Sequence, residues 1–117
     1  MIARELSASG LSALAAQAVL GSRSLTVTAA GTTQGTATAL SSCFNVVTTC
    51  TEAACGVILP VNDLGDEIIV VNKTTANLRV FPPVGGGFNG ATANVPFTMG
   101  PNTRNSFYQI GTADYST

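Results

Sequence analysis

The chain has 117 residues, enough for one domain with one modest hydrophobic core. Only 9% of its residues are charged, against about 25% in a typical soluble domain, and the formal net charge is −1. The five basic residues are scattered, which excludes the concentrated positive field that nucleic acid binding needs. Because so few charges leave much uncharged surface, the composition favours association with copies of the chain or with a larger body.

The sequence contains no histidine, the residue that most often serves as a general base or a metal ligand. Its absence also excludes the Ser-His and Cys-His pairs of nucleophilic catalysis. We therefore predict that the chain is not an enzyme, and that it has no catalytic, cofactor-binding or metal-binding residues.

Three cysteines, Cys43, Cys50 and Cys55, are separated by six and four residues. Zinc sites favour closer cysteine pairs and a fourth ligand, and an odd number of cysteines cannot all pair within one chain. We interpret these residues as small buried thiols of a chain made in a reducing compartment. A single Cys43–Cys50 bridge is the alternative.

No stretch approaches the ~20 apolar residues of a membrane span. The apolar run near the N-terminus is short and is interrupted by Ser12 and Gln17, so it matches a signal peptide poorly. We therefore expect a chain that is made in the cytosol and binds neither a membrane nor nucleic acid.

Residues 1–24 are predicted to form a short helix or arm ahead of a β domain at residues 25–117. Ser7 or Ser9 could cap the helix, and Gly21 is a plausible end. The apolar residues that recur near helical spacing are Leu11, Leu14, Ala15, Ala18 and Val19. Because this stripe lies on one side of the helix, it needs a surface to pack on, in its own domain or on a partner.

From Arg23 onward, the sequence consists of stretches of alternating threonine, valine and alanine that are separated by glycines. This composition favours strands. About eight short strands separated by turn signals indicate an antiparallel sandwich, jelly roll or barrel. We predict an all-β fold, an antiparallel β-sandwich or jelly-roll-like domain. The predicted strands are 25–29, 36–40, 44–48, 56–59, 66–72, 77–81, 95–99 and 106–110.

Two of these strands show which faces they bury. The run Ile68–Val71 is apolar on both faces, which is typical of a central strand between two layers. In the last strand, Phe107 and Gln109 share one face, while Tyr108 and Ile110 share the other.

Gly85-x-Gly87-x-x-Gly90 matches the dinucleotide-binding fingerprint literally. That fingerprint requires a helix after the glycines, and Pro96 would break a helix here. Asp114 follows at about the distance of the ribose-binding acid, but nothing places it on a second parallel strand. We therefore interpret the stretch as a chain reversal rich in glycine and asparagine.

Two further motifs favour ordinary structure over a site. Asn62, Asp63, Asp66 and Glu67 cluster beside a turn but lack the spacing of a calcium loop, and adjacent strand residues point to opposite faces. Asn72-Lys-Thr matches a glycosylation acceptor that no secretion signal supports. Arg79 and Arg104 are treated as solvated charges by default.

An ordered set of short motifs runs from Gly56 to Thr112, about half of the chain. Together they resemble a module of tailed-bacteriophage virion proteins, found in head decoration (cement) proteins and in tail or head fibres. The motifs are Leu59-Pro60, Gly65-Asp66, Val70-Val71-Asn72, Leu78-Arg79-Val80-Phe81-Pro82, Gly85-Gly86, Asn89-Gly90 and Phe107-Tyr108.

The resemblance implies a structural virion protein without catalytic residues. Within this group, the chain looks more like a decoration protein than a fibre fragment. The resemblance then implies an all-β protein that binds the outer capsid shell as a homotrimer. The expected partners are copies of the chain and the major capsid protein, and assembly would take place in the bacterial host cytoplasm. We expect residues 1–24 to make a contact with the capsid or another subunit. The alternative is a phage fibre or a receptor- or glycan-binding module.

Overall fold

The computed structural model describes residues 23–51 and 54–117. About half of these residues lie in β-strands, and none lies in a helix. The chain is therefore mostly β, as predicted, and the predicted helix or arm lies almost entirely outside the described residues. The strands are β1 (Arg23–Ala29), β2 (Thr38–Ala39), β3 (Phe44–Cys50), β4 (Ala54–Ile58), β5 (Glu67–Asn72), β6 (Asn77–Phe81), β7 (Phe97–Met99), β8 (Thr103–Gln109) and β9 (Tyr115–Ser116).

The strands form two mixed sheets, so the prediction of purely antiparallel pairing is wrong. Sheet A has the order β1-β3-β5-β8-β9, and sheet B has the order β2-β4-β6-β7. The first six strands alternate between the sheets, so the chain winds three times and each winding pairs in parallel with the previous one. Strands β7, β8 and β9 then add antiparallel pairs. Because each strand returns in the opposite sheet, neighbours within a sheet run in the same direction.

Successive windings differ in length. Thr38 pairs with Val57, 19 residues later, whereas Phe44 pairs with Ile69, 25 residues later. Strand β1 also contains shifts of register against β3. These unequal lengths explain why the windings leave no visible repeat in the sequence.

The inward-facing side chains of both sheets form a single apolar core. In β5, Ile68 and Val70 are fully buried and alternate with the half-buried Ile69 and Val71. Complete burial of one such side chain contributes about 1.5–3 kcal/mol, so this core is what joins the two sheets. Its members are Ala29, Leu40, Val47, Cys55, Val57, Leu59, Ile68, Val70, Leu78, Val80, Phe88, Met99, Phe107 and Tyr115.

The predicted faces of β8 are confirmed. Phe107 and Gln109 are buried, whereas Tyr108 and the following Ile110 are exposed. Phe107 also packs against the rings of Phe88 and Phe97, at centroid distances of 5.4 and 5.7 Å. This aromatic group closes the core between β7 and β8.

Cys50 and Cys55 form a disulfide, with their Cα atoms 5.7 Å apart, and Cys43 is free and half-buried. The prediction of three thiols is therefore wrong for Cys50 and Cys55, and the alternative Cys43–Cys50 bridge is wrong as well. The reason is topological. The end of β3 in sheet A lies close to the start of β4 in sheet B, where Cys50 and Cys55 are placed, while Cys43 lies just before the opposite end of β3.

Candidate interaction surface

Three connections meet at one end of the molecule, which we call the loop end. They are residues 59–66 between β4 and β5, residues 82–96 between β6 and β7, and residues 110–114 between β8 and β9. The pairing of the sheets brings them together, because the start of β5 lies beside the end of β8 and the end of β4 lies beside the end of β6.

Gln109 joins two of these connections from a buried position. Its side-chain Nε2 donates to the carbonyl oxygens of Gly111 and Thr112 at 3.0 and 3.1 Å. Its Oε1 accepts from the backbone N–H of Asn62 at 2.7 Å, and its carbonyl accepts from the N–H of Gly65 at 2.7 Å. A buried amide with all its partners in place fixes the geometry of the loops around it.

Tyr115 ties the C-terminal strand to the same loops. Its ring is fully buried, and its hydroxyl donates to the carbonyl oxygen of Pro60 at 2.5 Å. Burial, assisted by electrostatic interaction with Asp66 and Cys43, raises the pKa of Tyr115 from 10.0 to about 12. The phenol therefore stays protonated at neutral pH and remains a donor.

The N–H groups of Gly85, Gly86 and Gly87 in the glycine-rich loop are bonded within the chain itself. A cofactor site of the dinucleotide type would turn such groups toward a pyrophosphate. Here Asp114, the acid at the ribose-binding distance, accepts from Gly87 through Oδ1 at 3.0 Å. The N–H groups of Gly85 and Gly86 donate to Asn94 Oδ1 and to the Pro83 carbonyl.

The interpretation of this stretch as a chain reversal agrees with its backbone. Asn89 and Gly90 both have positive φ, 53° and 76°, and the N–H of Ala91 donates to the Phe88 carbonyl at 2.8 Å. Two central residues with positive φ are characteristic of a type I′ turn, which asparagine and glycine favour. The fingerprint glycines therefore serve a turn and the close packing beside it.

Five of the seven large apolar side chains that are exposed in the described part of the chain lie at the loop end. A hydrogen bond from Gly85 to Asn94 joins the two ends of the connection 82–96, and a bond from Gly65 to Gln109 joins the connection 59–66 to the end of β8. The exposed residues are Val61, Leu64, Val84, Val95 and Ile110, with exposed fractions of 60, 71, 77, 49 and 57%. Exposed apolar surface concentrated in one region is typical of interaction sites in proteins.

The charged residues of the loop end are all acidic. Asp63, Asp66 and Asp114 lie on these connections, which contain no lysine or arginine. Asp63 and Asp66 form a local turn, in which Asp66 Oδ2 accepts from the N–H of Asp63 at 3.2 Å. No group of three or more His, Cys, Asp or Glu residues that could hold a metal ion occurs in the described ranges. A partner surface that combines apolar with basic residues would complement the loop end.

Asp66 and Glu67 point to different sides, as their adjacent positions predicted. Asp66 influences the buried Tyr115, whereas Glu67 hydrogen-bonds Tyr108 on the outer face of sheet A. That hydrogen bond raises the pKa of Tyr108. The two carboxylates therefore do not act as a pair.

Asn72, the first residue of the glycosylation triplet, is fully buried at the opposite end of the molecule. Its Nδ2 donates to the carbonyl oxygens of Ala76 and Gly100, both at 2.9 Å. Its Oδ1 accepts from the N–H and hydroxyl of Thr74, at 3.0 and 2.7 Å. In the folded chain this amide joins two turns and has no room for a sugar. The turn at residues 73–76 was predictable from its polar sequence, but sequence reasoning missed the role of the Asn72 side chain in holding it.

The two arginines named from the sequence differ. Arg79 Nη1 donates to the carbonyl of Thr32 at 3.0 Å and so holds the first loop against the outer face of sheet B. Arg104 is exposed on β8. Of the two, Arg79 therefore has a role within the fold.

In comparisons with protein families, curated proteins and solved structures, nothing matches the chain. None of the described residues forms a helix that is long and apolar enough to cross a membrane. The loop end is thus an exposed surface that combines apolar with acidic side chains.

Proposed function

We propose that the chain is a structural virion protein that decorates and stabilises a phage capsid, binding the outer shell as a homotrimer. The observation that carries the proposal is the concentration of exposed apolar side chains on the loop end, where Gln109 and Tyr115 hold the loops in place. The ordered motifs of residues 56–112, which resemble the phage virion module, and the low charge of the chain support it.

In this proposal the protein acts by burying surface at its interface with the capsid shell. Burial of apolar surface contributes about 25 cal/mol per Å², and a stable protein interface covers about 800 Å² on each partner. Loops that are already fixed by buried hydrogen bonds lose little entropy on binding. A trimer would present three loop ends at once, so that several weak contacts add to a firm attachment across neighbouring capsid subunits.

Two surfaces are candidates for the contact with the shell. The sequence assigns the contact to residues 1–24, as an arm toward the capsid or another subunit. The loop end is a second surface, which lies within the described part of the chain and predicts basic residues on the capsid side.

The copy number in purified particles of the encoding phage tests the proposal, by quantitative mass spectrometry. A decoration protein should be present in hundreds of copies per particle. A handful to dozens of copies would favour the fibre alternative, and absence from the particle would contradict both functions.

The alternative function, a fibre or a receptor- or glycan-binding module, has one supporting observation. A shallow groove at the end opposite the loop end is lined mainly by threonines and Lys73, whose hydroxyl and ammonium groups suit sugar hydroxyls. No aromatic ring lines this groove, and sugar sites usually contain one. Chemical-shift mapping on isotope-labelled protein, titrated with a panel of bacterial surface glycans, should show shifts at Thr48, Thr49 and Thr75 if this function is correct.

A further inference from the structure

Three asparagines in the described part of the chain combine an exposed side chain with a positive φ. They are Asn89, Asn94 and Asn102, with φ of 53°, 66° and 54°, and they are followed by Gly90, Val95 and Thr103. The side-chain amide of an asparagine can be attacked by the backbone nitrogen of the next residue. A next residue without a Cβ leaves the most room for this attack. Asn89 is therefore the member of the group at which the attack is least hindered.

The surroundings of Gly90 are open. Gly90 is exposed, and a Cβ at its position would meet nothing within 4 Å. Within the described part of the chain, the N–H of Gly90 donates to no other group, whereas the N–H of Ala91 donates to the Phe88 carbonyl. Water can therefore reach the N–H of Gly90 and take up its proton.

The C-terminal segment holds Asn89 by two hydrogen bonds. The N–H of Asn89 donates to the Tyr115 carbonyl at 2.9 Å, and its Oδ1 accepts from the N–H of Thr117 at 3.0 Å. When a nucleophile adds to Cγ of an amide, negative charge develops on the amide oxygen, and an N–H that already points at this oxygen stabilises the charge. The Thr117 N–H therefore makes Cγ of Asn89 easier to attack.

We propose that Asn89 is a site of spontaneous deamidation in the folded chain, with the backbone nitrogen of Gly90 as the nucleophile. This nitrogen loses its proton to water and forms a bond to Cγ of Asn89. The bond from Cγ to Nδ2 breaks, and Nδ2 takes up a proton and leaves as ammonia. Water then opens the resulting succinimide ring. Hydrolysis at Cγ gives aspartate, and hydrolysis at the backbone carbonyl of residue 89 gives isoaspartate.

Both products change the loop end. Asn89 lies on the connection 82–96, and the connections of the loop end already contain Asp63, Asp66 and Asp114 but no lysine or arginine. A carboxylate at residue 89 therefore increases the negative charge of this surface. Isoaspartate also adds a carbon to the backbone of a tight turn and so disturbs the bond from Ala91 to Phe88. The chemistry does not depend on the proposed function, although it alters a surface that the proposal offers to the shell.

Incubation of the purified full chain at mildly alkaline pH tests the proposal. Peptide mapping by mass spectrometry locates the product, and an isoaspartate-specific methyltransferase labels the isoaspartate. Residue 89 of the folded chain should convert at least about 10-fold faster than Asn94 and Asn102, which are the internal controls. A parallel sample in urea gives the rate in the unfolded chain. If residue 89 reacts only in urea, or no faster than Asn94, the inference is wrong.

Two variants test the groups that the reaction uses, and urea titrations check that both are folded. Gly90→Asn keeps a residue that tolerates positive φ but places a Cβ beside the attacking nitrogen, so residue 89 should convert at least about 10-fold more slowly. Conversion at the parent rate would overturn the inference. Thr117→Pro keeps Asn89 and Gly90 but removes the N–H donor, so it should also slow the reaction. An unchanged or faster rate in this variant would overturn the part given to the hydrogen bond.

Discussion

Gly86 lies where the C-terminal segment crosses the glycine-rich loop, and at this position there is room only for a hydrogen atom. A Cβ on Gly86 would lie 1.7 Å from the carbonyl oxygen of Ala113, a backbone atom that cannot rotate away. We expect Gly86→Ala to destabilise the fold by about 1–3 kcal/mol, the usual range for overpacking. Chemical denaturation with urea measures the change.

Gly35→Ala is the matched control for this variant. A Cβ at Gly35 would meet nothing within 4 Å, so the same substitution should leave stability nearly unchanged. Equal stability of the two variants would show that the C-terminal segment is not packed on the loop as described.

Tyr115 makes stability depend on alkaline pH. Its folded pKa of about 12 lies above the ordinary value of 10.0, so folding favours the protonated phenol. The resulting stabilisation is complete below pH 10 and is lost as the pH rises toward about 12. Tyr115→Phe should remove most of this loss. It should also cost about 1–2 kcal/mol at neutral pH, because the Pro60 carbonyl loses its hydrogen bond.

Urea titrations from neutral pH into this alkaline range measure the effect. Tyr108→Phe is the control, because Tyr108 is 46% exposed and its pKa is raised chiefly by the hydrogen bond to Glu67. That variant should keep most of the alkaline loss of the parent chain. A parent profile that is flat over this range would contradict the role given to Tyr115.

At the scale of the elements, the sequence predicts strands well where alternation is visible. Strands β5 and β6, Glu67–Asn72 and Asn77–Phe81, agree with the predicted 66–72 and 77–81 to within one residue. Strand β9, Tyr115–Ser116, was missed, because two residues carry no periodic signal and pair only after β8 is in place. Local propensity finds strands that bury one face and misses those that tertiary contacts create.

The direction of pairing could not be predicted. A parallel pair needs a crossover, and here the crossover is a strand of the other sheet instead of a helix. The candidate surface could not be predicted either, because it also depends on contacts between residues that are distant in sequence. The contact between Gly87 and Asp114 joins residues 27 apart in sequence, and nothing local indicates it. The glycine turn itself was predictable, because Asn89-Gly90 carries its own conformational preference.

The disulfide links the last residue of β3 to the second residue of β4. In the chain-entropy description, a loop this short adds about 2 kcal/mol of stability. We expect the double variant Cys50→Ser/Cys55→Ser to lose about that amount in urea titrations under oxidising conditions. Cys43→Ser is the control and should change stability little, because Cys43 is free and only half-buried. Thiol labelling of the denatured parent chain should modify Cys43 alone, and labelling of all three cysteines would contradict the bridge.

At the scale of the whole molecule, the proposed trimer makes a simple prediction. Light scattering across a dilution series should give a mass three times the 11.8 kDa of the chain. The physical reason is that the chain has few charges and exposes apolar surface. Burial of that surface between copies stabilises the trimer. A monomer at every concentration would contradict a trimer formed in isolation, and the capsid would then have to order the three copies.

A binding assay can test the role of the loop end separately from the stability of the fold. Among the described residues, Leu64 and Val84 are the two most exposed large apolar side chains, and they lie on different connections of this surface. Because neither side chain is buried in the fold, Leu64→Ser/Val84→Ser should preserve stability while removing apolar contact area. We expect its affinity for phage particles that lack the chain to fall at least about 10-fold, since that loss corresponds to only about 1.4 kcal/mol.

Leu25→Ser serves as the matched control, because Leu25 is 53% exposed but lies on β1, away from the loop end. Co-sedimentation of each purified variant with the particles measures binding, and the temperature at which the particles release DNA measures the stabilisation of the shell. The control should bind and protect the particles like the parent chain. Full binding by the loop-end variant would move the contact to another surface, and the arm at residues 1–24 would then be the next to test, by exchanging Leu11 and Leu14 for serine in the full chain.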